Sequence, residues 1–202
     1  MHRILLLIFC IGSSAVAQTP DITVCPSGCD YASLDAALDS INAGEDVLIH
    51  VFAGTYDDGT FRVAGQQGAT VSIVGVDGPE ATILTQVGEN RVVFVGDGDV
   101  IRLEGVSITG GHPTNTSNEG AGVKVASGGE LELIDCIISD NQTTNDGAGV
   151  YVADGGVALV EGCTFERNII NDILGAHGGG LAITSIDGTT VNRCRFIENH
   201  AT

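Results

Sequence analysis

The chain repeats one glycine-rich motif three times, as Gly120-Ala121-Gly122-Val123, Gly147-Ala148-Gly149-Val150 and Gly178-Gly179-Gly180-Leu181. The copies are spaced by 27 and 31 residues. A second motif keeps the same two spacings, as Cys136-Ile137-Ile138-Ser139-Asp140-Asn141, Cys163-Thr164-Phe165-Glu166-Arg167-Asn168 and Cys194-Arg195-Phe196-Ile197-Glu198-Asn199. Two motifs that drift by equal amounts indicate one repeated structural unit, and a period of this length is typical of a solenoid.

The residues between these motifs have the pattern of short strands. Val123-Lys124-Val125 and Leu131-Glu132-Leu133 alternate apolar and polar residues, and turn-forming residues separate them. No ten-residue window after Gly44 carries a helical stripe, so helices are not expected to link the strands. Three strands and three turns per unit predict an all-β fold, a right-handed parallel β-helix whose coils pair with the coils above and below.

Stacked coils would place equivalent residues of successive units in columns. We expect an amide ladder at one turn, where Asn tolerates the left-handed backbone conformation, formed by Asn141, Asn168 and Asn199. Inside the coils we expect a column of small apolar thiols, formed by Cys136, Cys163 and Cys194. A metal site in the cysteine column is the alternative, although the column lacks the closely spaced ligand pairs of zinc sites.

The start of the chain has the features of a secretory signal peptide over residues 1–17. A basic start precedes the apolar run Ile4–Ile11, and Ala15-Val16-Ala17 forms a small-residue cleavage site. We therefore expect an exported chain, with residues 18–202 as a single β-helix domain: an N-terminal cap at 18–46 and coils at 47–202. No second apolar stretch follows, so no membrane span is predicted after signal removal.

Two features of residues 18–46 predict how the first coil is closed. Cys25 and Cys29 flank a short turn, and in an oxidising compartment this predicts a disulfide bond, with a redox site as the alternative. An amphipathic helix is predicted at 33–43, with Ser33 as its N-cap and Gly44 at its end. We interpret it as a cap over the open end of the β-helix, with a partner-binding helix as the alternative.

Shorter apolar runs extend the predicted coils toward the N-terminus. Strands are predicted at 47–52, 61–63, 71–74, 81–84, 92–95 and 100–103. The segment Ala53-Gly54-Thr55-Tyr56 is predicted to be a turn. The chain ends in the turn after Asn199, where another glycine motif is expected, so we interpret it as incomplete at its C-terminus, with a bare last coil prone to end-to-end association.

Parts of the sequence resemble known families. Tyr31-Ala32-Ser33-Leu34-Asp35-Ala36-Ala37-Leu38, followed by Ala53-Gly54-Thr55-Tyr56, is similar to the opening of secreted bacterial proteins of the pectin-lyase-like β-helix class. Phe165-Glu166-Arg167-Asn168 and Phe196-Ile197-Glu198-Asn199 resemble the Phe-x-x-Asn repeats of polymorphic outer membrane proteins, and Ile138-Ser139-Asp140-Asn141 departs from them by Ile for Phe. The resemblance implies the fold, which hosts lyases, hydrolases and adhesins.

The chain is strongly acidic, with 8 Lys and Arg against 26 Asp and Glu and a net charge of −18. Such a surface repels nucleic acid and anionic lipid, and it disfavours polyuronate substrates. No cofactor is predicted. Calcium bound by Asp97-Gly98-Asp99 or Asp57-Asp58 is the alternative, although neither has the spacing of a defined calcium loop.

Residues for catalysis are few, and we predict no catalytic set. Lys124 is the one lysine of the sequence, and the repeat places it in a column with Tyr151 and Ala182. Ala176-His177-Gly178 faintly resembles the Gly-His-Gly of polygalacturonases, but the companion motifs are absent, which favours a turn residue. Asn115-Thr116-Ser117 and Asn141-Gln142-Thr143 are formal glycosylation sequons.

Two classes of function follow from these observations. The first is an exported β-helix module, secreted or displayed at the outer membrane or cell surface of a bacterium, that serves adhesion or assembly without catalytic activity of its own. Its partners would be a cell-surface protein or a carbohydrate. The alternative is a carbohydrate-active β-helix enzyme, a polysaccharide lyase or glycosidase, that is truncated or has an unrecognised site.

Overall fold

A computed structural model describes residues 19–63, 68–114, 118–171, 175–184 and 187–201, so the predicted signal peptide and the predicted sequon at 115–117 lie outside the described residues. Within these ranges the chain forms short parallel strands and one short helix. In chain order the elements are β1 Asp21–Val24, α1 Leu34–Asp39, β2 Val47–Val51, β3 Gly54–Tyr56, β4 Phe61–Val63, β5 Thr70–Gly75, β6 Thr82–Thr85, β7 Val93–Val95, β8 Val100–Glu104, β9 Ser107–Thr109, β10 Val123–Val125, β11 Glu130–Ile134, β12 Ile137–Ser139, β13 Gln142–Thr143, β14 Val150–Val152, β15 Val157–Glu161, β16 Thr164–Glu166, β17 Ile169–Ile170, β18 Leu181–Ile183, β19 Thr190–Asn192, β20 Arg195–Ile197 and β21 His200–Ala201.

The strands form a parallel β-solenoid, because the chain returns to each sheet one coil later. Sheet A has the order β1-β2-β5-β8-β11-β15-β19, sheet B the order β3-β6-β9-β12-β16-β20, and sheet C the order β4-β7-β10-β14-β18. A short sheet D joins β13, β17 and β21. The all-β fold predicted from the repeat is thereby confirmed.

Strict register turns the sequence period into columns of side chains. In sheet A, Leu103 pairs with Leu133 and Leu133 with Val160, and all three are buried. Their neighbours along each strand point outward, because successive residues of a strand face opposite sides of the sheet. Each aliphatic side chain in such a column stabilises the stack by about 1.5–3 kcal/mol through burial of apolar surface.

The helix α1 covers the N-terminal end of the solenoid. It packs against β1 and β4, which are terminal strands of sheets A and C, and it buries Leu34 and Leu38. The Ser33 side chain accepts a hydrogen bond from the Ala36 N–H at 3.2 Å, as an N-cap does. The predicted helix at 33–43 was too long, because Ser40 ends it by turning its own N–H and hydroxyl back to the Ala37 carbonyl.

Two further predictions about the coils need correction. The segment predicted to turn at 53–56 contains strand β3, since Gly54–Tyr56 pairs in register with Thr82–Leu84 of the next coil. The later coils have four strands rather than three, because the residues after each ladder Asn add the short strands of sheet D. Both segments are only two or three residues long, which is too short to show the alternation by which strands are predicted from sequence.

Candidate functional site

The three predicted ladder residues stack on one another at the turn between sheets B and D. The Asn141 side-chain N–H donates to Asn168 Oδ1 at 3.0 Å, and the Asn168 side-chain N–H donates to Asn199 Oδ1 at 2.9 Å. Each amide also bonds to the backbone of a neighbouring coil, as when Asn168 Nδ2 donates to the Ile138 carbonyl at 2.8 Å. Asn141 and Asn168 are fully buried, so these bonds satisfy groups that water cannot reach.

The left-handed backbone conformation lies one residue earlier than predicted. It is adopted by Asp140, Arg167 and Glu198, whose φ angles are 54°, 52° and 50°. The residue before each ladder asparagine adopts the positive φ that reverses the chain direction. The asparagine that follows can then direct its amide inward. The ladder therefore depends on the amide's hydrogen bonds and not on the conformational tolerance of Asn.

The three cysteines of the second column, Cys136, Cys163 and Cys194, occupy equivalent positions in successive coils. Cys136 and Cys163 are buried in the core, and Cys194 in the last described coil is half-buried. The hydrogen bond with Cys136 and burial together raise the pKa of the Cys163 thiol, which keeps it protonated. Among the described residues no three His, Cys, Asp or Glu side chains are grouped closely enough to hold a metal ion. Near the N-terminus, Cys25 and Cys29 form a disulfide bond with Cα atoms 5.5 Å apart.

The carboxylates considered for calcium serve backbone groups. Asp99 is buried and accepts a hydrogen bond from the Gly96 N–H at 3.0 Å. Asp58 accepts one from the Leu34 N–H at 3.1 Å, which satisfies a free amide at the start of α1. Calcium at either position stays a prediction.

The outer face of sheet B forms a groove of about 450 Å³. Its first row of side chains follows the register of five consecutive strands and comprises Ile83, Ser107, Ile137, Thr164 and Arg195. Its second row follows the same register with two hydroxyls, a carboxylate and an aliphatic side chain: Thr109, Ser139, Glu166 and Ile197. Along the first four strands of the first row, branched aliphatic and hydroxyl groups therefore alternate at the spacing of parallel strands, about 4.8 Å.

Charged residues stand at the two ends of this groove. Arg167 donates to both carboxylate oxygens of Asp140 at 2.8 Å and also contacts Glu166 at 2.6 Å. The hydrogen bond from Arg167 lowers the pKa of Asp140. Glu80 lies at the far end, before β6. Three strand spacings, roughly 14 Å, separate it from Glu166, and the two lie at opposite ends of their strands.

The outer face of sheet C carries a different set of side chains, which we call the basic–aromatic cluster: Arg62, Arg91, Phe94, Glu119, Lys124 and Tyr151. The Arg62 and Arg91 guanidinium carbons lie 4.7 and 5.7 Å from the centre of the Phe94 ring. Lys124 Nζ lies 5.9 Å from the centre of the Tyr151 ring and 2.9 Å from Glu119 Oε2. These distances are within the range of cation–π and ion-pair contacts.

The electrostatics of the cluster centre on Glu119. Burial raises the pKa of Glu119, but the hydrogen bond from Lys124, a backbone hydrogen bond and the charges of Lys124 and Arg91 together lower it by more, so the net shift is downward. The backbone carbonyl of Glu119 also accepts a hydrogen bond from Arg91 at 2.8 Å. Burial lowers the pKa of Arg91, and the nearby Arg62 lowers it further.

His177 lies in a stretch without regular structure shortly before β18. Its backbone N–H donates to Asp146 Oδ1 at 2.6 Å, and its ring Nδ1 lies 3.6 Å from the same oxygen. The side chain is 86% exposed. A ring this exposed has no fixed position from which to move a proton, so His177 offers no catalytic arrangement.

Comparison with known proteins agrees with this architecture. The family model described as "Right handed beta helix region" matches residues 81–202. The chain belongs to this β-helix family. A solved structure of pectin methylesterase from carrot is similar at 16% sequence identity and a TM-score of 0.52, with 94% of this chain and 65% of that chain covered. The β-helix chain thus spans 65% of the length of that structure. No curated protein matches.

The family assignment fixes the handedness and the fold of the chain, and the pectin methylesterase likeness supports the pectin-lyase-like architecture. The resemblance of the repeats to polymorphic outer membrane proteins stays a prediction. Across the described residues of this β-helix, no helix has the length and apolar character needed to cross a membrane.

Sequence reasoning placed Lys124 in its column but missed both surfaces described above. The groove could have been found by continuing the register of the second motif outward, since its lining residues flank the buried Ile108, Ile138 and Phe165. The basic–aromatic cluster could not have been found from the sequence, because Arg91 and Glu119 lie in connecting segments whose lengths vary from coil to coil. Only the folded chain brings them to Phe94 and Lys124.

Proposed function

We propose that this chain is an exported β-helix module, displayed at a cell surface for adhesion or assembly, that binds an oligosaccharide in the groove of sheet B. The observation that carries the proposal is the alternation of aliphatic and hydroxyl side chains along the first row of the groove, in register over four strands from Ile83 to Thr164. Sugars present the same mixture, because hydroxyls project from the edge of each ring and C–H groups cover its faces.

The size and shape of the groove support this ligand. A volume of about 450 Å³ lies in the range of sites that enclose small organic ligands, 300–1,000 Å³. Thr109 and Thr164 are partly exposed within it and can both donate and accept hydrogen bonds. A rigid sheet holds these hydroxyls in place before the ligand arrives, which lowers the entropy lost on binding.

A carbohydrate-active enzyme is the second candidate. Two observations favour it: the structural likeness to a pectin methylesterase, and the presence of Arg167 beside Glu166 in the groove. The separation of Glu80 from Glu166 weighs against a glycosidase that uses this pair, because such carboxylates stand no more than about 10 Å apart. A binding module and an enzyme would share the groove and differ in whether the bound sugar is altered.

The test is a binding screen of neutral and acidic oligosaccharides, followed by calorimetry on the ligands found. We expect the double substitution Thr109→Val and Thr164→Val to weaken binding roughly tenfold, since each lost hydrogen bond contributes about 0.5–1.5 kcal/mol. Valine keeps the branched shape and removes only the hydroxyl. Thr190→Val on the outer face of sheet A is the matched control and should bind like the parent.

Failure to bind any oligosaccharide, or equal affinity of the double variant and the parent, would contradict the proposal. Each bound sugar is also incubated with the protein, and its mass is measured over time. An unchanged mass agrees with a binding module. Loss of a methyl group or cleavage of the chain would establish the enzyme instead.

A further inference from the structure

The cysteine column, formed by Cys136, Cys163 and Cys194, holds its three sulfurs in one repeated orientation. Each sulfur lies within hydrogen-bond distance of the carbonyl oxygen of the residue two positions earlier, at 3.2, 3.4 and 3.2 Å in chain order. The strands that follow these cysteines, β12, β16 and β20, pair in register. Neighbouring sulfurs are therefore separated by one spacing of parallel strands, about 4.8 Å.

This separation suits a metal bridge better than a disulfide bond. Disulfides join Cβ atoms about 3.8 Å apart, so a disulfide between two coils would have to draw the stacked strands together by about 1 Å. Zinc–thiolate bonds are about 2.3 Å long, so two bonds of that length in line span about 4.6 Å. A cation midway between two adjacent sulfurs can therefore bond to both while the coils keep their spacing.

The surroundings of the column determine which cation fits. Cys136 and Cys163 are 1% and 0% exposed, and the next inward-facing residues on their strands are Ile138 and Phe165. Calcium and magnesium require several oxygen ligands, which two sulfurs in an apolar core do not supply. Thiolates are soft ligands that prefer soft cations such as copper(I). Copper(I) and silver(I) are also stable with only two ligands in line, and the column offers its sulfurs in such pairs.

The two buried thiols of the column interact with each other. Burial raises the pKa of the Cys136 thiol, but the hydrogen bond with Cys163 and backbone hydrogen bonds lower it by more, so the net shift is downward. The same hydrogen bond, together with burial, raises the pKa of Cys163. The pair therefore loses its first proton more readily than its second, as coupled groups do. A cation between the sulfurs favours loss of both protons, because it stabilises both thiolates.

We propose that the cysteine column binds one soft univalent cation, of the copper(I) and silver(I) class, between two adjacent thiolates. Cys163 is a ligand in either arrangement, because it has a neighbouring thiol on both sides, in Cys136 and in Cys194. Two ligands suffice for such a cation, so the site does not require the three-residue group that the described residues lack. The site lies inside the coils, so it goes beyond the sugar binding proposed for the groove of sheet B.

The binding step exchanges protons for the cation. Two S–H bonds break, two metal–sulfur bonds form, and two protons pass to solvent. No atom changes its oxidation state. The bound unit carries one negative charge, which is less than the two thiolates would carry without the cation and is therefore easier to hold in the core.

The experiment adds silver(I) in chloride-free buffer to the folded full chain carrying Cys10→Ser, in which the column supplies the free thiols. After dialysis against an excess of a monothiol, we expect one silver per chain by elemental analysis, with a thiolate-to-metal absorption band in the ultraviolet. Titration at constant pH should release two protons per silver. The column should keep its silver, because its second metal–sulfur bond forms within the same molecule.

Three single substitutions to valine are matched to one another, because each leaves two thiols in the column. Val106 occupies the same column one coil before Cys136 and is buried, so the column accommodates valine. In Cys136→Val and Cys194→Val the two remaining thiols are adjacent. In Cys163→Val they are two strand spacings apart, about 9.6 Å, which is too far for one cation to bridge. Silver affinity should therefore fall at least about a hundredfold in Cys163→Val and less than about tenfold in the other two.

Retention of one silver by Cys163→Val would overturn the proposal, because binding would then not need adjacent thiols. Equal losses in all three variants, or a parent chain that gives up its silver to the monothiol, would overturn it as well. Proton release is measured on the parent chain without any substitution, so the test does not depend on the folding of a variant. Release of fewer than two protons per bound silver would contradict the two-thiolate site.

Discussion

The first coils and the last coils of this solenoid satisfy their turns with different chemistry. In the first coils, carboxylates reach across to a neighbouring coil: Asp58 accepts from the Leu34 N–H at 3.1 Å, and Asp77 accepts from the Ala53 N–H at 2.8 Å. In the last coils, the side-chain amides of Asn141, Asn168 and Asn199 form the hydrogen bonds between neighbouring coils, and they do so in a single column.

The difference explains why only the last coils have a regular sequence. A carboxylate only accepts hydrogen bonds, and two carboxylates one strand spacing apart repel each other, so aspartate cannot be repeated in register. An amide both donates and accepts, so each copy bonds to the next and the column can be extended. Regular spacing in the sequence therefore marks the part of the fold in which the side chain that joins neighbouring coils is a neutral amide.

The largest effect is expected at the centre of the amide ladder. Asn168→Ala removes the acceptor of the Asn141 N–H and the donor to the Ile138 carbonyl, and it leaves both groups buried. Because each unsatisfied buried group costs about 1–3 kcal/mol, the free energy of unfolding should fall by about 4 kcal/mol. Urea denaturation followed by circular dichroism measures the change.

Asp58→Ala is the matched substitution in the first coils. Its carboxylate caps one backbone N–H near solvent, so its loss should lower the free energy of unfolding by about 1 kcal/mol. Equal losses for Asn168→Ala and Asp58→Ala would remove the distinction between the two halves.

The next effect concerns the closeness of the coils at the glycine motif. A Cβ at residue 149 would collide with the backbone carbonyl oxygen of Gly180 in the next coil. Gly149→Ala should therefore lower the free energy of unfolding by about 3 kcal/mol, through overpacking that cannot relax. The midpoint of thermal unfolding should fall with it.

Gly98 provides the control in an open turn. Its φ is +75° and a Cβ there would meet no atom within 4 Å, so Gly98→Ala should cost only the left-handed strain of about 1–2 kcal/mol. A tolerated alanine at 149 would mean that the coils are not stacked as closely as described.

The disulfide in the first coils is expected to contribute less. Replacing Cys25 and Cys29 by serine opens a loop with a sequence separation of 4, and the chain-entropy relation gives about 2 kcal/mol for so short a loop. Hydrogen exchange should show faster opening of β1 and α1 with little change in β14 to β17. Uniform acceleration along the whole chain would instead indicate a single cooperative unit.

The smallest effect is expected at the exposed ion pair beside the ladder. The hydrogen bond from Arg167 holds the pKa of Asp140 below its ordinary value. The pair therefore stabilises the fold above the aspartate pKa of the unfolded chain, and this contribution is lost as the pH falls through the lower pKa of the folded chain. Arg167→Gln should raise the pKa of Asp140 toward the ordinary value of an aspartate, as measured by carboxyl NMR titration. An unchanged titration would contradict the pairing.

Much of the fold could be predicted because, in stacked coils, residues that are one repeat apart in the sequence become neighbours in adjacent coils. The shared spacing of the two motifs placed Lys124 beside Tyr151 and Tyr151 beside Ala182, and the strand register confirms both neighbours. The same logic did not reveal strand β3, because Gly54–Tyr56 lies outside the two repeated motifs and is too short to show alternation. Its pairing with Thr82–Leu84 identifies it as a strand.

The surfaces were harder to predict because they depend on residues outside the repeating motifs. Arg91 reaches Phe94 and Glu119 from a turn, and no period in the sequence relates these three residues. Likewise, the ionised groups at the ends of the groove come together only through stacking, as when Arg167 pairs with Asp140 of the previous coil. Side-chain direction within variable turns is decided by tertiary packing.

The most direct test of the account measures distances along one outward column of sheet A. Spin labels at Ser72 paired in turn with labels at Glu132, Leu159 and Thr190, in a chain carrying Cys194→Ser, span two, three and four strand spacings. The account predicts interlabel distances that grow by about 5 Å with each coil. Distances that fail to increase in this order would contradict the in-register stacking on which the groove and the cluster both depend.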